Sequence, residues 1–187
     1  MPHQPSAAAP FVHLHVHSEF SLVDGLLKVK KLVQRCAEAG MPAVALTDHG
    51  NLFALVKFYE NCLAAGIKPI LGAEVMVKAS DDRDAPAERV VLLAKHLQGY
   101  RHLTELISES FTQAEERGAL TETQIFAKRD GLLVLSGGIG GHLWRGMLAD
   151  DTEPVTRRVQ RWVDVFGDDY FIEIARTGRS GEDVAIQ

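Results

Sequence analysis

The sequence contains little cysteine and no excess of positive charge. Its 187 residues include two cysteines, Cys36 and Cys62, and its formal net charge is -5. Two cysteines are too few for a disulfide framework or a cysteine-based zinc site, so we expect a reduced, cytoplasmic setting. A chain without a basic excess has few cations to displace counterions from phosphates. Strong non-specific binding of nucleic acid by this chain alone is therefore not expected.

Long apolar runs are also missing. No stretch approaches the roughly 20 apolar residues that cross a bilayer. The start, MPHQPSAAAP, lacks the charged and apolar regions of a secretory signal. We therefore expect no membrane association and interpret residues 1–10 as a disordered lead-in. The composition, with 46% hydrophobic and 24% charged residues, is typical of a globular domain with a sizeable core.

Apolar periodicity predicts strands and helices that alternate along the chain. Six strands are predicted, in residues 12–16, PAVAL, IKPILGAEVMV, RVVLLAKH, GLLVLSGG and YFIEIAR. The first two helices are predicted to bury one apolar stripe each: Leu26, Val29, Leu32, Val33 and Cys36 in the first, and Leu52, Leu55, Val56, Tyr59 and Leu63 in the second. This alternation indicates a parallel β/α architecture. Closed barrels of this kind run to about 250 residues, so we expect an open sheet and an N-terminal fragment of a longer protein.

Polar residues stand at the ends of the first two predicted strands and in the latter half of the third. They are His15, His17, Asp24, Asp48, His49 and Glu74. Because the carboxyl ends of parallel β/α strands meet at one end of the sheet, we expect these side chains to share one site. His15 and His17 lie on the same face of a strand and can bind one ion together. Mixed imidazole and carboxylate ligands suit zinc, manganese or iron, and such ions support phosphoester hydrolysis.

Each of these features alone also fits an ordinary structural role. We interpret His13, the third histidine of the alternation, as structural and bonded to backbone. Asp48 alone would cap the following helix, and Glu74 alone would be a surface carboxylate. The glycine-rich SGGIGG, residues 136–141, lacks the Lys-Ser/Thr of a P-loop and is better interpreted as a turn than as a phosphate cradle. The coincidence at three strand ends is what favours a metal site.

The segments HLHVHSEFSLVDG, ALTDHGNLFALVKFY and GIKPILGAE closely resemble the polymerase and histidinol phosphatase (PHP) domain. The form they resemble is the one that begins the alpha subunit of bacterial replicative DNA polymerase III, and the resemblance extends from Phe11 onward. It implies an α/β fold: a distorted, TIM-like β/α barrel of mostly parallel strands, incomplete because the closing strands would lie beyond Gln187. On this interpretation, residues 11–187 are the N-terminal part of a PHP domain.

Carried over by position, the resemblance places the family's metal ligands on His15, His17, Asp24, His49 and Glu74. Two further ligand positions depart from the family. Arg89 stands where metal-binding members have a histidine, and Gly138 stands where they have a cysteine; His96 lies too far along its strand to substitute. A guanidinium repels cations and can instead bind a phosphate or pair with Glu74 or Asp24. We therefore expect a degenerate site without full multi-metal occupancy.

Three functions are compatible with these observations. The first is the PHP domain of a DNA polymerase III alpha subunit, a DNA-directed DNA polymerase (nucleotidyltransferase) whose palm domain, with its magnesium, would lie outside this chain. This chain would then be a structural and docking module for the proofreading exonuclease and other holoenzyme subunits, and would meet DNA through the full-length protein. The second is a PHP phosphoesterase, either a 3′–5′ exonuclease or a small-molecule phosphatase such as histidinol phosphatase, with zinc, manganese or magnesium. The third is an interaction module without metal.

Overall fold

Strands and helices are both present in a computed structural model of the chain, which describes residues 11–23, 25–79, 86–112, 118–149, 152–174 and 178. Asp24 and the predicted lead-in, residues 1–10, lie outside these residues. The strands are β1 (Ala43–Leu46), β2 (Lys68–Lys78), β3 (Glu88–Ala94), β4 (Ala119–Thr121), β5 (Leu132–Leu135) and β6 (Tyr170–Phe171). The helices are α1 (Val29–Glu38), α2 (Leu55–Ala64), α3 (Leu97–Thr112), α4 (Glu122–Ala127), α5 (Trp144–Leu148) and α6 (Thr152–Phe166).

The strands form one open sheet in the order β1-β2-β3-β5-β6, with β4 also paired to β2. The pairs β1–β2, β2–β4 and β5–β6 are parallel, whereas β3 is antiparallel to both β2 and β5. The α/β class and the mostly parallel, incomplete sheet are therefore confirmed. The reversal of β3 has a consequence for the site, because the beginning of β3 lies beside the carboxyl ends of the other strands.

The segment predicted as the first strand is extended but is not a regular strand. It runs parallel to β1 through a single bridge, His13 to Val44. Its carbonyls accept from two amides of the next segment, Ala45 N–H to His13 O at 2.8 Å and Thr47 N–H to Val16 O at 2.9 Å. The Thr47 side chain occupies the next ladder position, where its hydroxyl accepts from Val16 N–H at 2.8 Å. This side chain contact replaces one backbone bond and interrupts the ladder.

Apolar side chains cover both faces of the sheet. On one face, β2, β3 and β5 pack against α3, α4 and α6, where Trp162 is fully buried and stacks on Phe166 at 5.7 Å between ring centroids. A second cluster lies between β1 and the helices α1 and α2 and contains both cysteines. The opposite face of the sheet carries a smaller cluster of Ala45, Val91, Leu93 and Leu135. This smaller cluster forms the floor beneath the polar residues described below.

The predicted apolar stripes of the first two helices are wrong in part. Leu26 precedes α1 and is exposed, and Val56, Tyr59 and Leu63 are exposed on α2. The side chains that α2 buries are Phe58 and Cys62. Helix α2 is apolar around most of its circumference, so its hydrophobic period alone does not define the inward face. Among the described helices, none has both the length and the apolar character needed to cross a bilayer.

Candidate metal centre

The loop after His17 is fixed by one buried carboxylate. Asp48, at the end of β1, accepts from Ser18 N–H at 2.6 Å, from the Ser18 hydroxyl at 2.7 Å and from the Ser21 hydroxyl at 2.7 Å. The alternative that Asp48 caps the following helix is therefore wrong; it ties the 18–21 turn to β1. Gly25 closes the same loop, because a Cβ there would lie 1.7 Å from the Ser18 carbonyl oxygen. These contacts hold the backbone that carries the histidines.

Glu74 is the centre of the site. It lies on β2 and is 1% exposed. Imidazole nitrogens of three histidines lie close to its carboxylate. His15 Nε2 lies 3.1 Å from Glu74 Oε2, and His49 Nδ1 lies 3.0 Å from Glu74 Oε1. His17 Nε2 is 3.6 Å from Oε2. The alternative of a surface carboxylate is therefore wrong, and the shared site at neighbouring strand ends is present among the described residues.

Arg89 also faces this carboxylate. Its Nε lies 3.7 Å from Glu74 Oε1, and its side chain is 37% exposed whereas that of Glu74 is 1% exposed. Arg89 pairs with Met76 in the antiparallel β2–β3 register, and Glu74 pairs with Val91, so Arg89 and Glu74 are on the same face of the sheet. One of the partners anticipated for Arg89 from the sequence is thus observed, and a fixed cation lies beside the carboxylate.

The electrostatics of the site follow from these contacts. Burial alone would raise the pKa of Glu74, but the nearby imidazoles of His15, His17 and His49 and the charge of Arg89 outweigh it and hold that pKa far below its usual range. Burial alone would likewise lower the pKa of His15. Its hydrogen bonds to Glu173 and Glu74 outweigh burial and raise the pKa to about 9. Glu74 is therefore an anion at neutral pH in a ring of cationic and polar groups.

Three of the five predicted ligands form a group suited to one ion. Donor atoms of His15, His17 and Glu74 all lie within 4.8 Å of one another. The His17 Nε2 atom is buried and has no hydrogen-bond partner within the described part of the chain. An orphaned imidazole nitrogen beside a buried carboxylate is a donor set that a divalent cation would satisfy. The residues therefore fit the metal that the sequence predicts.

The other predicted residues are placed as follows. His49 contacts Glu74 but is not part of the compact three-residue group. His13 is exposed, and its ring meets the Phe11 ring edge-on at 4.8 Å. His96 follows β3 at the end of the strand away from Arg89, as expected. Asp24 is outside the described residues.

Glu173 is the residue that the sequence interpretation missed. It follows β6 and brings both carboxylate oxygens to His15 Nδ1, at 2.9 Å for Oε1 and 3.0 Å for Oε2. Gly138 lies next to it, because a Cβ at position 138 would be 3.1 Å from Glu173 Oε1. The predicted sixth strand, YFIEIAR, has Glu173 in its middle, so the strand-end rule did not select it; β6 ends earlier, at Phe171, and Glu173 follows it.

The sequence pattern of the PHP domain matches residues 13–177 of this chain. The chain therefore belongs to the PHP domain family. Among similar proteins, the DNA polymerase III subunit alpha of Pseudomonas fluorescens is 42% identical over 177 residues, which is 94% of this chain and 15% of that protein. The corresponding subunit of Escherichia coli K12 is 40% identical over 175 residues. The chain spans about 15% of the length of the curated relatives it matches.

Solved structures show the same fold. A protein from Bifidobacterium adolescentis that is assigned as a metal-dependent phosphoesterase matches 97% of this chain and 82% of its own, with a TM-score of 0.54 and 14% identity. An amidohydrolase from Chromobacterium violaceum with bound sulfate matches with a TM-score of 0.50, also at 14% identity. At this level of identity the likeness supports the fold and leaves the chemistry to the residues of the site.

Proposed function

We propose that this chain is the N-terminal PHP portion of a bacterial replicative DNA polymerase III alpha subunit, with residues 11–187 as the PHP part. The single observation that carries the proposal is the 42% identity to such a subunit over 94% of the chain. In the full-length protein, other domains would bind magnesium and transfer nucleotides onto DNA. The protein would act in the cytoplasm. The role of this chain would be to support the polymerase and to receive the proofreading exonuclease and other subunits of the holoenzyme.

The surface of α2 supports a docking role. Val56, Tyr59 and Leu63 are 70%, 46% and 57% exposed, and their spacing puts them on one side of the helix. Phe53, just before the helix, is 78% exposed. Neighbouring exposed apolar side chains of this size are typical of a surface that another protein covers.

We further propose that the site is degenerate and holds at most one divalent cation, bound by His15, His17 and Glu74. Arg89 supports this, because its guanidinium supplies a positive charge to the carboxylate that an additional metal would otherwise neutralise. Gly138 offers no ligand atom at a position where the family has a thiolate. The remaining three donors suit zinc or manganese better than magnesium, which prefers oxygen ligands.

A second candidate function is a metal-dependent phosphoesterase, either a 3′–5′ exonuclease or a small-molecule phosphatase. The observation that favours it is the buried, unpartnered His17 Nε2 beside Glu74. A bound ion would polarise a phosphoester and lower the pKa of a water molecule. In that case Arg89, which is partly exposed, would bind a phosphate oxygen through its guanidinium, while Glu74 would keep His15 and His49 in place.

A chimaeric polymerase tests the first function. Residues 13–174 would replace the matching segment of the Pseudomonas fluorescens subunit, and primer extension and retention of the proofreading exonuclease would be measured. We expect both to persist, and to persist again when His15→Ala and His17→Ala are combined in the chimaera. An inactive chimaera that folds with an unchanged melting temperature would contradict the proposal.

Metal analysis separates the two functions. We expect elemental analysis of the protein to give one ion or fewer per chain, and hydrolysis of a phosphate monoester with added manganese to be no faster than with the His15→Ala variant. Two or more ions per chain would contradict the degenerate site. Manganese-dependent hydrolysis that is lost in His15→Ala would establish the phosphoesterase instead.

A further inference from the structure

The His15 ring is held between two carboxylates that lie on opposite sides of it. Nε2 faces Glu74 Oε2 at 3.1 Å, and Nδ1 faces both oxygens of Glu173 at 2.9 and 3.0 Å. Each residue of the three-donor group offers one ligand atom, and Nε2 is the His15 nitrogen that faces Glu74 of that group. Glu173 therefore contacts the ligand from behind, on the side away from the site.

The position of Glu173 is itself fixed. Its backbone N–H donates to the Ser136 hydroxyl at 2.9 Å, which ties the residue to the end of β5. Its side chain is 22% exposed. Gly138 gives the carboxylate its space, since even a Cβ at that position would approach Oε1 to 3.1 Å. The glycine that removes a thiolate from the site thus lies directly beside the carboxylate that holds His15.

We propose that Glu173 is a positioning residue that orients His15 for metal binding. A carboxylate accepts hydrogen bonds and does not donate them, so it keeps a proton on Nδ1. That leaves Nε2, which faces Glu74 at 3.1 Å, as the nitrogen whose lone pair is aimed at a cation beside Glu74. Carboxylates behind metal-binding histidines act in this way: they fix the ring and its tautomer and strengthen the ligand. The effect on affinity depends on the proposed metal site, whereas the effect on ring orientation does not.

The test compares Glu173→Gln with a matched control in the whole chain. Glutamine keeps the size of the side chain and removes its charge. Glu105→Gln is the control, because Glu105 is an exposed residue of α3 that pairs with Lys128 and not with the site. Zinc affinity would be measured by competition with a chromophoric chelator, and melting temperatures would be recorded without metal. Nitrogen-15 spectra of the zinc-loaded proteins would report which ring nitrogen of His15 carries the proton.

We expect Glu173→Gln to weaken zinc binding by about 10- to 100-fold, as outer carboxylates of metal-binding histidines do, and to remove the protected Nδ1 proton of His15. Glu105→Gln should change neither. An unchanged zinc affinity in Glu173→Gln, or a lower melting temperature without a change in affinity, would overturn the proposal.

If the wild-type protein binds no zinc, the proposed metal site is wrong, and His15 orientation is then judged in crystal structures of the metal-free proteins. A His15 ring that turns away from Glu74 in Glu173→Gln would uphold the positioning role. An unmoved ring would overturn it.

Discussion

Replacing Arg89 by methionine should strengthen the binding of a divalent cation. Methionine keeps much of the apolar stem and removes the guanidinium, whose Nε lies 3.7 Å from Glu74 Oε1. Two unit charges at about 4 Å attract by roughly 1 kcal/mol in water and roughly 4 kcal/mol at an effective dielectric constant of 20. Because the Arg89 side chain is 37% exposed, we expect its interaction with the Glu74 carboxylate to lie toward the lower end of this range. A gain of about 1–2 kcal/mol corresponds to an affinity about 5- to 30-fold higher.

Zinc titration against a chromophoric chelator, at fixed pH and ionic strength, measures this change. Arg89→Lys is the control, because it retains the positive charge and should stay close to the wild type. The melting temperature gives a second readout: metal-free Arg89→Met should melt lower than the wild type, and zinc should raise its melting temperature by the larger increment. Equal or weaker zinc affinity in Arg89→Met would refute the idea that the guanidinium and the metal compete for Glu74.

Three further predictions concern stability. Burial, aided by neighbouring arginines, lowers the pKa of His142 to about 3 from its usual 6.5. Between these pH values the unfolded chain therefore binds more protons than the folded chain. The contribution of His142 to the free energy of unfolding should be complete above pH 6.5 and should be lost as the pH falls toward 3. Urea titrations across this range should show that the free energy of unfolding falls less steeply with pH in His142→Leu than in the wild type. Equal slopes in the two proteins would contradict the role given to His142. Asp48→Asn weakens the charge-assisted hydrogen bonds from two serine hydroxyls and should lower the free energy of unfolding, measured by urea denaturation, by about 1–3 kcal/mol. An unchanged free energy of unfolding would contradict this role of Asp48. Trp162→Phe removes the 3.0 Å hydrogen bond from the indole N–H to buried Glu122 and leaves a cavity. The same assay should show a loss of about 2–4 kcal/mol in the free energy of unfolding. A loss below about 0.5 kcal/mol would show that the contact is unimportant.

Much of the candidate site could be predicted because its residues lie at the ends of strands, or in the latter half of one, at positions that the sequence marks clearly. The alternating histidines and the acidic and imidazole residues of the next two strands are local patterns, and parallel topology brings such positions to one end of the sheet. The association of His15, His17, His49 and Glu74 follows from that rule. Glu173 was missed because it lies 158 positions from its partner His15 and is a lone acidic residue in its segment. Only the fold brings the two together.

The direction of β3 is a feature that the hydrophobic pattern does not encode. An apolar run such as RVVLLA is buried on both faces and looks the same whether the strand is parallel or antiparallel to its neighbours. Its reversal is what puts Arg89, at the beginning of the strand, at the same end of the sheet as Glu74. Resemblance to the family predicted the position of Arg89 near the ligands; the pattern of residues alone did not.

The exposed face of α2 illustrates a second limit. Helical spacing predicted that Val56, Tyr59 and Leu63 would be buried, but Phe58 and Cys62 are buried instead. Two apolar stripes compete in this helix, and packing against α1 and the sheet selects one of them. Tertiary contacts decided the outcome, and the spacing alone could not.

The guanidinium beside Glu74 has a bearing on how the protein responds to its surroundings. A metal ion exchanges with solution, so a carboxylate that depends on one loses its counter-charge when chelators or starvation remove the supply. Arg89 is attached to the backbone and cannot be withdrawn. A domain that carries its own permanent counter-ion in this way would stay folded through changes in zinc or manganese that would loosen a domain whose buried carboxylate depends on a bound metal.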